Sequence, residues 1–164
     1  MKKKEVDLFA LIHETVERMN RNRFYRRMGS RMMQGQIQKM FEIEFLDTLN
    51  AHFNNSFYHP NDVLGISDIV NTTNPKIDYE IKCTFGWNST INGKPSHCVR
   101  WQHSTVRSGN RNFLFLYFGY DNNRIYVKGA WYGEDMPFEK WTLKCKEGMR
   151  IGLKQVEESC KRII

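Results

Sequence analysis

Ile66-Ser67-Asp68-Ile69-Val70-Asn71-Thr72-Thr73-Asn74-Pro75-Lys76-Ile77-Asp78-Tyr79-Glu80-Ile81-Lys82-Cys83-Thr84 is the stretch from which the fold of this chain is read. Its second half alternates: Ile77, Tyr79, Ile81 and Cys83 are mostly apolar, and Asp78, Glu80, Lys82 and Thr84 are polar. Successive side chains of a strand point to opposite faces, so this period of two sets Glu80 and Lys82 on one face and Cys83 on the other. Upstream, Gly65 to Val70 reads as a second short strand, with Asn71-Thr72-Thr73-Asn74-Pro75 as the turn between them.

If the two strands pair, Asp68 comes beside Glu80, with Lys82 just beyond. Two carboxylates converging on one point repel unless a cation sits between them, and hard oxygen ligands suit Mg²⁺. A neighbouring lysine can then contact an attacking water and the charge that develops on a phosphate. Asp78 shares the face of Glu80, about 6.6 Å along the strand at roughly 3.3 Å per residue, and is the rival to Asp68. A Glu-x-Lys pair on a strand is also an ordinary solvated pair, so the weight rests on Asp68 and on the basic character of the whole chain.

Asp68 followed after a short loop by Glu80-Ile81-Lys82 resembles the PD-(D/E)XK nuclease motif of many type II restriction endonucleases. The Pro expected before the Asp is Ser67 here. The resemblance implies an α/β (α+β) fold, with a central mixed β-sheet of about four to five strands flanked by helices. It also implies Mg²⁺, with Mn²⁺ as a substitute, bound by Asp68, Glu80 and the Ile81 backbone carbonyl. Lys82 would orient or deprotonate the water. A helix before the first catalytic strand often adds one more acidic ligand in such proteins, and here Glu42 is the candidate with Glu44 as its rival.

The 164 residues suit one domain, with a helical part at 1–53, a catalytic sheet core at 64–132 and a C-terminal extension at 133–164. Hydrophobic residues make up 40% and charged ones 26%, as in ordinary soluble proteins. No apolar run approaches the roughly 20 residues that span a bilayer, and the start lacks a signal peptide's apolar segment. The expectation is a cytoplasmic protein without a membrane partner. Cys83, Cys98, Cys145 and Cys160 are widely scattered, which suggests reduced thiols. Cys83, His97, Cys98 and His103 lack the short ligand spacings of a structural zinc site. Neither a nucleophile elbow nor a phosphate-cradling Gly-rich loop occurs, and no small-molecule cofactor is expected. The net charge of +7 favours a polyanionic partner.

Residues 5–19 carry Leu8, Phe9, Ile12, Val16 and Met19 at helical spacing, which serves domain packing or a dimer interface equally well. Arg21, Arg23, Arg26, Arg27 and Arg31 follow as a phosphate-contacting patch. A second helix from about Met33 to His52 has its buried stripe at Ile37, Phe41, Phe45 and Leu49. Residues 85–96 show no period and read as a loop, in which Asn88, Asn92 and Lys94 suit base reading. Residues 97–107 read as a helix whose Arg100, Gln102 and His103 face DNA. Asn112 to Tyr120 is apolar on both faces and reads as the central covered strand, with Asp121-Asn122-Asn123 turning into a partner strand at 124–131. A loop near Gly148 and a short helix over 153–160 complete the chain.

The leading functional expectation is a Mg²⁺-dependent type II restriction endonuclease, cutting double-stranded DNA at a short palindromic sequence as a homodimer. The alternatives are a structure-selective nuclease of the same fold, such as a Holliday-junction resolvase or repair nickase, and a non-catalytic nucleic-acid-binding protein.

Overall fold

Period-two alternation over Asp78–Thr84 does give a strand, and it is covered on both faces. The computed structural model describes residues 7–23, 25, 34–60, 66–74, 76–103, 110–145 and 148–164. Among them are three helices, α1 (Leu8–Arg21), α2 (Gln34–His52) and α3 (Leu153–Ser159), and a mixed multi-stranded sheet. The main sheet has six strands: β1 (Phe57–Tyr58), β2 (Ile69–Asn71), β3 (Asp78–Thr84), β7 (Asn110–Asp121), β8 (Arg124–Pro137) and β11 (Lys161–Arg162), side by side in that order. Only β3 and β7 run parallel; every other neighbour pair is antiparallel. The protein is therefore a mixed α/β structure, with more strands than the four or five expected.

The helical face of the sheet is built by the two apolar stripes. Ile37, Phe41, Phe45 and Leu49 of α2 are fully buried, and α1 contributes Leu11, Ile12, Val16 and Met19. α2 packs on β3 and α1 on α2 and β8, and their stripes join one core with Tyr79, Ile81 and Cys83 of β3 and Leu114, Leu116 and Phe118 of β7. Polar contacts fix the helices: Asn20 of α1 donates to the Ile125 carbonyl at 2.8 Å and accepts from its N–H at 2.9 Å. Arg18 pairs with Glu44 at 3.2 Å.

The opposite face of the sheet is also covered. A three-stranded sheet of β6 (Arg100–His103), β10 (Gly148–Gly152) and β9 (Thr142–Cys145) lies against it with α3 and a 3₁₀ turn at Phe138–Lys140. Trp101, Phe113, Phe115, Trp131, Phe138, Trp141 and Ile151 form this second core. Hence β3 is buried on both faces, and its polar face meets protein instead of water.

Two expectations are corrected here. Residues 97–103 are not helical: Arg100–His103 is strand β6, paired antiparallel with β10 from Arg100↔Gly152 to His103↔Met149, and 104–107 lie outside the described residues. Its true period is two, with Trp101 and His103 inward and Arg100 and Gln102 outward. Nor is 85–96 a loop. It is a hairpin of β4 (Trp87–Ile91) and β5 (Lys94–Cys98), closed by Asn92-Gly93 with φ of 51° and 76°. Both central residues of such a tight turn need positive φ, which Asn and Gly supply at least cost. The hairpin at Asn122-Asn123 follows the same rule, with φ of 49° and 59°.

Burial depth predicts stability. Leu116→Ala, at a fully buried position of β7, should cost about 2–5 kcal/mol. Phe9→Ala, at a half-exposed position of α1, should stay within about 0.5 kcal/mol. Urea unfolding of the two variants checks the contrast, and similar losses would contradict the assigned core.

Candidate active site

The register of β2 against β3 decides which acid joins Glu80. Ile69 lies opposite Tyr79 and Val70 opposite Asp78, so the residue just before β2 meets the next position of β3. That brings Asp68 to Glu80 and Lys82. The Asp68 carboxylate accepts from the Ile81 N–H at 2.8 Å and lies 3.7 Å from Lys82 Nζ. Lys82 Nζ also donates to Glu80 Oε1 at 2.8 Å and to the Ile81 carbonyl at 3.0 Å. Asp78 is drawn elsewhere. It accepts from Asn112 at 2.6 Å and from the Ser67 hydroxyl, and so serves to fix the turn.

Burial makes this cluster electrostatically demanding. Glu80 is 3% exposed and Lys82 6% exposed, between the two cores. Burial alone would raise the Glu80 carboxyl's pKa, but His103 and Lys82 outweigh it and hold the group down at about 2. Burial would likewise lower Lys82, yet Glu80 and Asp68 raise it, so its ammonium keeps its proton. Asp68 has the opposite fate. Burial, reinforced by the Glu80 and Glu42 charges, outweighs Lys82 and the Ile81 N–H and pushes it up to about 7.

His103 was expected to face DNA and does not. Its Nε2 lies 3.0 Å from Glu80 Oε1, and the side chain is 4% exposed. Phe138 and Trp141 hold the ring edge-on at 5.4 and 5.8 Å. The inward phase of β6 places it there, and since its partner lies 23 residues away no local sequence signal could show it.

Glu42 and Glu44 are separated by helix phase. Glu44 faces Arg18 of α1, whereas Glu42 is 1% exposed and its charge reaches Asp68 and Lys82. Gln38 donates to Glu42 at 2.9 Å, Lys39 pairs with it at 3.1 Å and His59 lies at 3.6 Å. The Gln38–Glu42 spacing is visible in the sequence; the approach of His59 is not.

The remaining expected contacts lie apart from this cluster. Asn88, Asn92 and Lys94 are exposed on the β4–β5 hairpin, Gln102 is exposed on the outer face of β6, and Arg100 is half-buried there. Arg21 and Arg23 are exposed at the end of α1, while Arg26, Arg27 and Arg31 fall outside the described residues. Among the described side chains, Cys83, Cys98 and Cys160 are free thiols.

Among the described residues no three His, Cys, Asp or Glu side chains meet as a ready metal cage. The donor set nevertheless suits a hard divalent cation. Glu80 Oε1, the Ile81 carbonyl and Asp68 Oδ2 are three oxygens that converge on one cationic point, the Lys82 ammonium.

The position of Asp68 predicts an unusual pH dependence. The folded state raises its pKa from 3.8 to about 7, so the folded state binds the proton more tightly than the unfolded one. This contribution to stability is complete below pH 3.8 and is lost as pH rises through about 7. Asp68→Asn should therefore stabilise the protein near about pH 8 by roughly 1–4 kcal/mol and flatten the pH profile between about 4 and 7. Thermal melts across that range test it, and a variant less stable than wild type at about pH 8 would refute the crowding. Compared with family models, with curated proteins and with solved structures, the chain matches none of them.

Proposed function

We propose that this chain is a metal-dependent endonuclease with a restriction-endonuclease-like core, hydrolysing phosphodiester bonds of double-stranded DNA at a short palindromic sequence as a homodimer. One observation carries the reading: Asp68, just before β2, and Glu80 and Lys82 of the adjacent β3, with Asp68 and Glu80 12 residues apart across a turn, converge in one cluster. The resemblance of these residues to the PD-(D/E)XK motif supports it, and so does the net charge of +7.

In this reading Asp68, Glu80 and the Ile81 carbonyl hold Mg²⁺ or Mn²⁺, with Glu42 behind them. The bound cation supplies Lewis-acid polarisation of the phosphate and a more acidic water. Lys82, held protonated by its carboxylate neighbours, is suited to orient the water and to stabilise charge on the phosphate oxygens. It is not suited to take a proton while those charges surround it. His103 fixes Glu80 through the contact at 3.0 Å and is a positioning residue. The exposed Asn88, Asn92 and Lys94 of the hairpin are the groups for base edges, while Arg21 and Arg23 are the groups for phosphates. Among the described residues no helix is long and apolar enough to cross a membrane.

Digestion of a plasmid of known sequence, with and without Mg²⁺, tests the proposal. Fixed ends at one short sequence are expected, with cutting stopped by chelation. Lys82→Ala would strand two carboxylates in the cluster and cost about 3–5 kcal/mol of stability, so variants of similar size are more informative. Glu80→Gln and Lys82→Arg should each lower cleavage by at least about 10²-fold with the fold intact by circular dichroism. Duplex binding without any Mg²⁺- or Mn²⁺-dependent cutting would sink the enzyme and favour a non-catalytic nucleic-acid-binding protein.

A further inference from the structure

We infer that the cleft between β5, β6 and the start of α3 is a second phosphate site, which grips the backbone of the DNA whose bond is cut. The inference rests on the nuclease reading and deepens it: Arg100, read from the sequence as facing DNA, is joined by Arg150 and Lys154 in one phosphate-binding cleft. The cleft encloses about 340 Å³, and its charged lining residues are Arg100, Arg150 and Lys154. No carboxylate lines it among the described residues.

The strand register explains how the arginines meet. Arg150 is opposite Gln102, and Arg100 is opposite Gly152, so the two arginines are diagonal neighbours on the outer face of the small sheet. The inner face of the same strands buries Trp101, His103, Met149 and Ile151. Both arginines are half-buried, yet neither has a carboxylate partner among the described residues. Half-buried guanidinium groups without a counter-charge favour an anion, and their planar fork matches phosphate oxygens. Lys154 makes only a long 3.8 Å pair with Glu158 at the surface.

The walls are held in place. Leu153 N–H donates to the Val99 carbonyl at 3.1 Å, and Gly152 N–H donates to Gln155 at 2.8 Å. The cleft is also connected to the cluster around Glu80. Arg100 precedes His103 by three residues on β6, roughly 10 Å at about 3.3 Å per residue. A DNA strand rises about 3.4 Å per phosphate along its axis, so this span is about three nucleotides. Arg100 points to the outer face of β6 and His103 to the inner one, so in this proposal Arg100 and Arg150 hold a phosphate about three nucleotides along from the cut and outside the buried cluster.

The test compares wild type with Arg100→Gln/Arg150→Gln on several duplexes of unrelated sequence, by fluorescence anisotropy over a range of salt. Each lost phosphate contact should lower the log–log salt slope by about 0.9, so the pair should lower it by about 1.8. Affinity should fall on the order of tenfold for each guanidinium, alike for every sequence. In cleavage assays KM should rise while kcat is kept. Lys140→Gln/Lys161→Gln, which removes the same charge from exposed positions elsewhere, should change the slope far less. Both arginine side chains lie outside the cores, so melting temperatures should match wild type; Arg150→Gln alone serves if the double variant does not fold.

If wild type binds and cuts DNA and the arginine variant shows an unchanged slope, the clamp is overturned and the nuclease stands. An equal loss in the lysine control also overturns it. If wild type neither binds nor cuts any duplex, the nuclease reading falls and the backbone clamp with it. Binding of inorganic phosphate through Arg100 and Arg150 without duplex binding would make the cleft a small-anion site and refute the DNA assignment.

Discussion

A buried ammonium between two carboxylates constrains everything around it. Lys82 is reached by Glu80 at 2.8 Å and Asp68 at 3.7 Å, and neither Lys82 nor Glu80 can move far without leaving a charge unpaired inside the protein. Removing one partner of such a set leaves an uncompensated buried charge, which costs far more than an exposed pair contributes. The backbone follows from this. Asp68 must stand at the mouth of β2, opposite Glu80, and β2 must pair with β3 in one register only. A slip of one residue would turn Lys82 toward the helices and Cys83 toward the acids.

The same constraint explains the two cores. Ile81 and Cys83 need an apolar cover, which α1 and α2 provide. Glu80 and Lys82 need a cover that excludes water but supplies polar partners. The small sheet gives both: Trp101 and Trp141 fill the apolar space, while His103 turns its ring to Glu80. Polar groups in such a layer keep their charged forms only when each has a partner.

Much of this was legible in the sequence, and the exceptions have physical causes. The alternation over 77–84 and the stripe of Ile37, Phe41, Phe45 and Leu49 are local patterns, and the structure has them where they were read. The upstream strand lies at Ile69–Asn71, so that Asn71 belongs to it and not to the turn. Asn112–Tyr120 was apolar on both faces because two layers cover it. The strand β6 was misread because four residues carry too few periods for the alternation of Trp101 and His103 against Arg100 and Gln102 to stand out. The β4–β5 hairpin did carry a signal, Asn92-Gly93, but its polar strands lack the alternating apolar residues that normally flank such a turn. The roles of His103, His59 and Arg150 depend on chain segments far apart, which no short window contains. The different surroundings of Glu42 and Glu44 likewise follow from which neighbour each helix face meets, Arg18 for Glu44 and the buried side for Glu42.

Asp68 is the point where the fold and the proposed chemistry pull apart. For holding two layers together it is a poor choice, because burial and the nearby Glu80 and Glu42 charges push it up to about 7. An asparagine would accept the Ile81 N–H equally well and carry no charge into the interior. The residues around it show no comparable conflict: Tyr79, Ile81 and Cys83 fill their core, and Asp78 closes its turn with Ser67 and Asn112. A single ill-suited charge in an otherwise consistent setting marks a residue that serves something besides stability. A group that is uncomfortable without a second cation gains most when one arrives, so under the proposed metal-dependent chemistry what Asp68 costs the resting fold would become binding strength for a divalent ion.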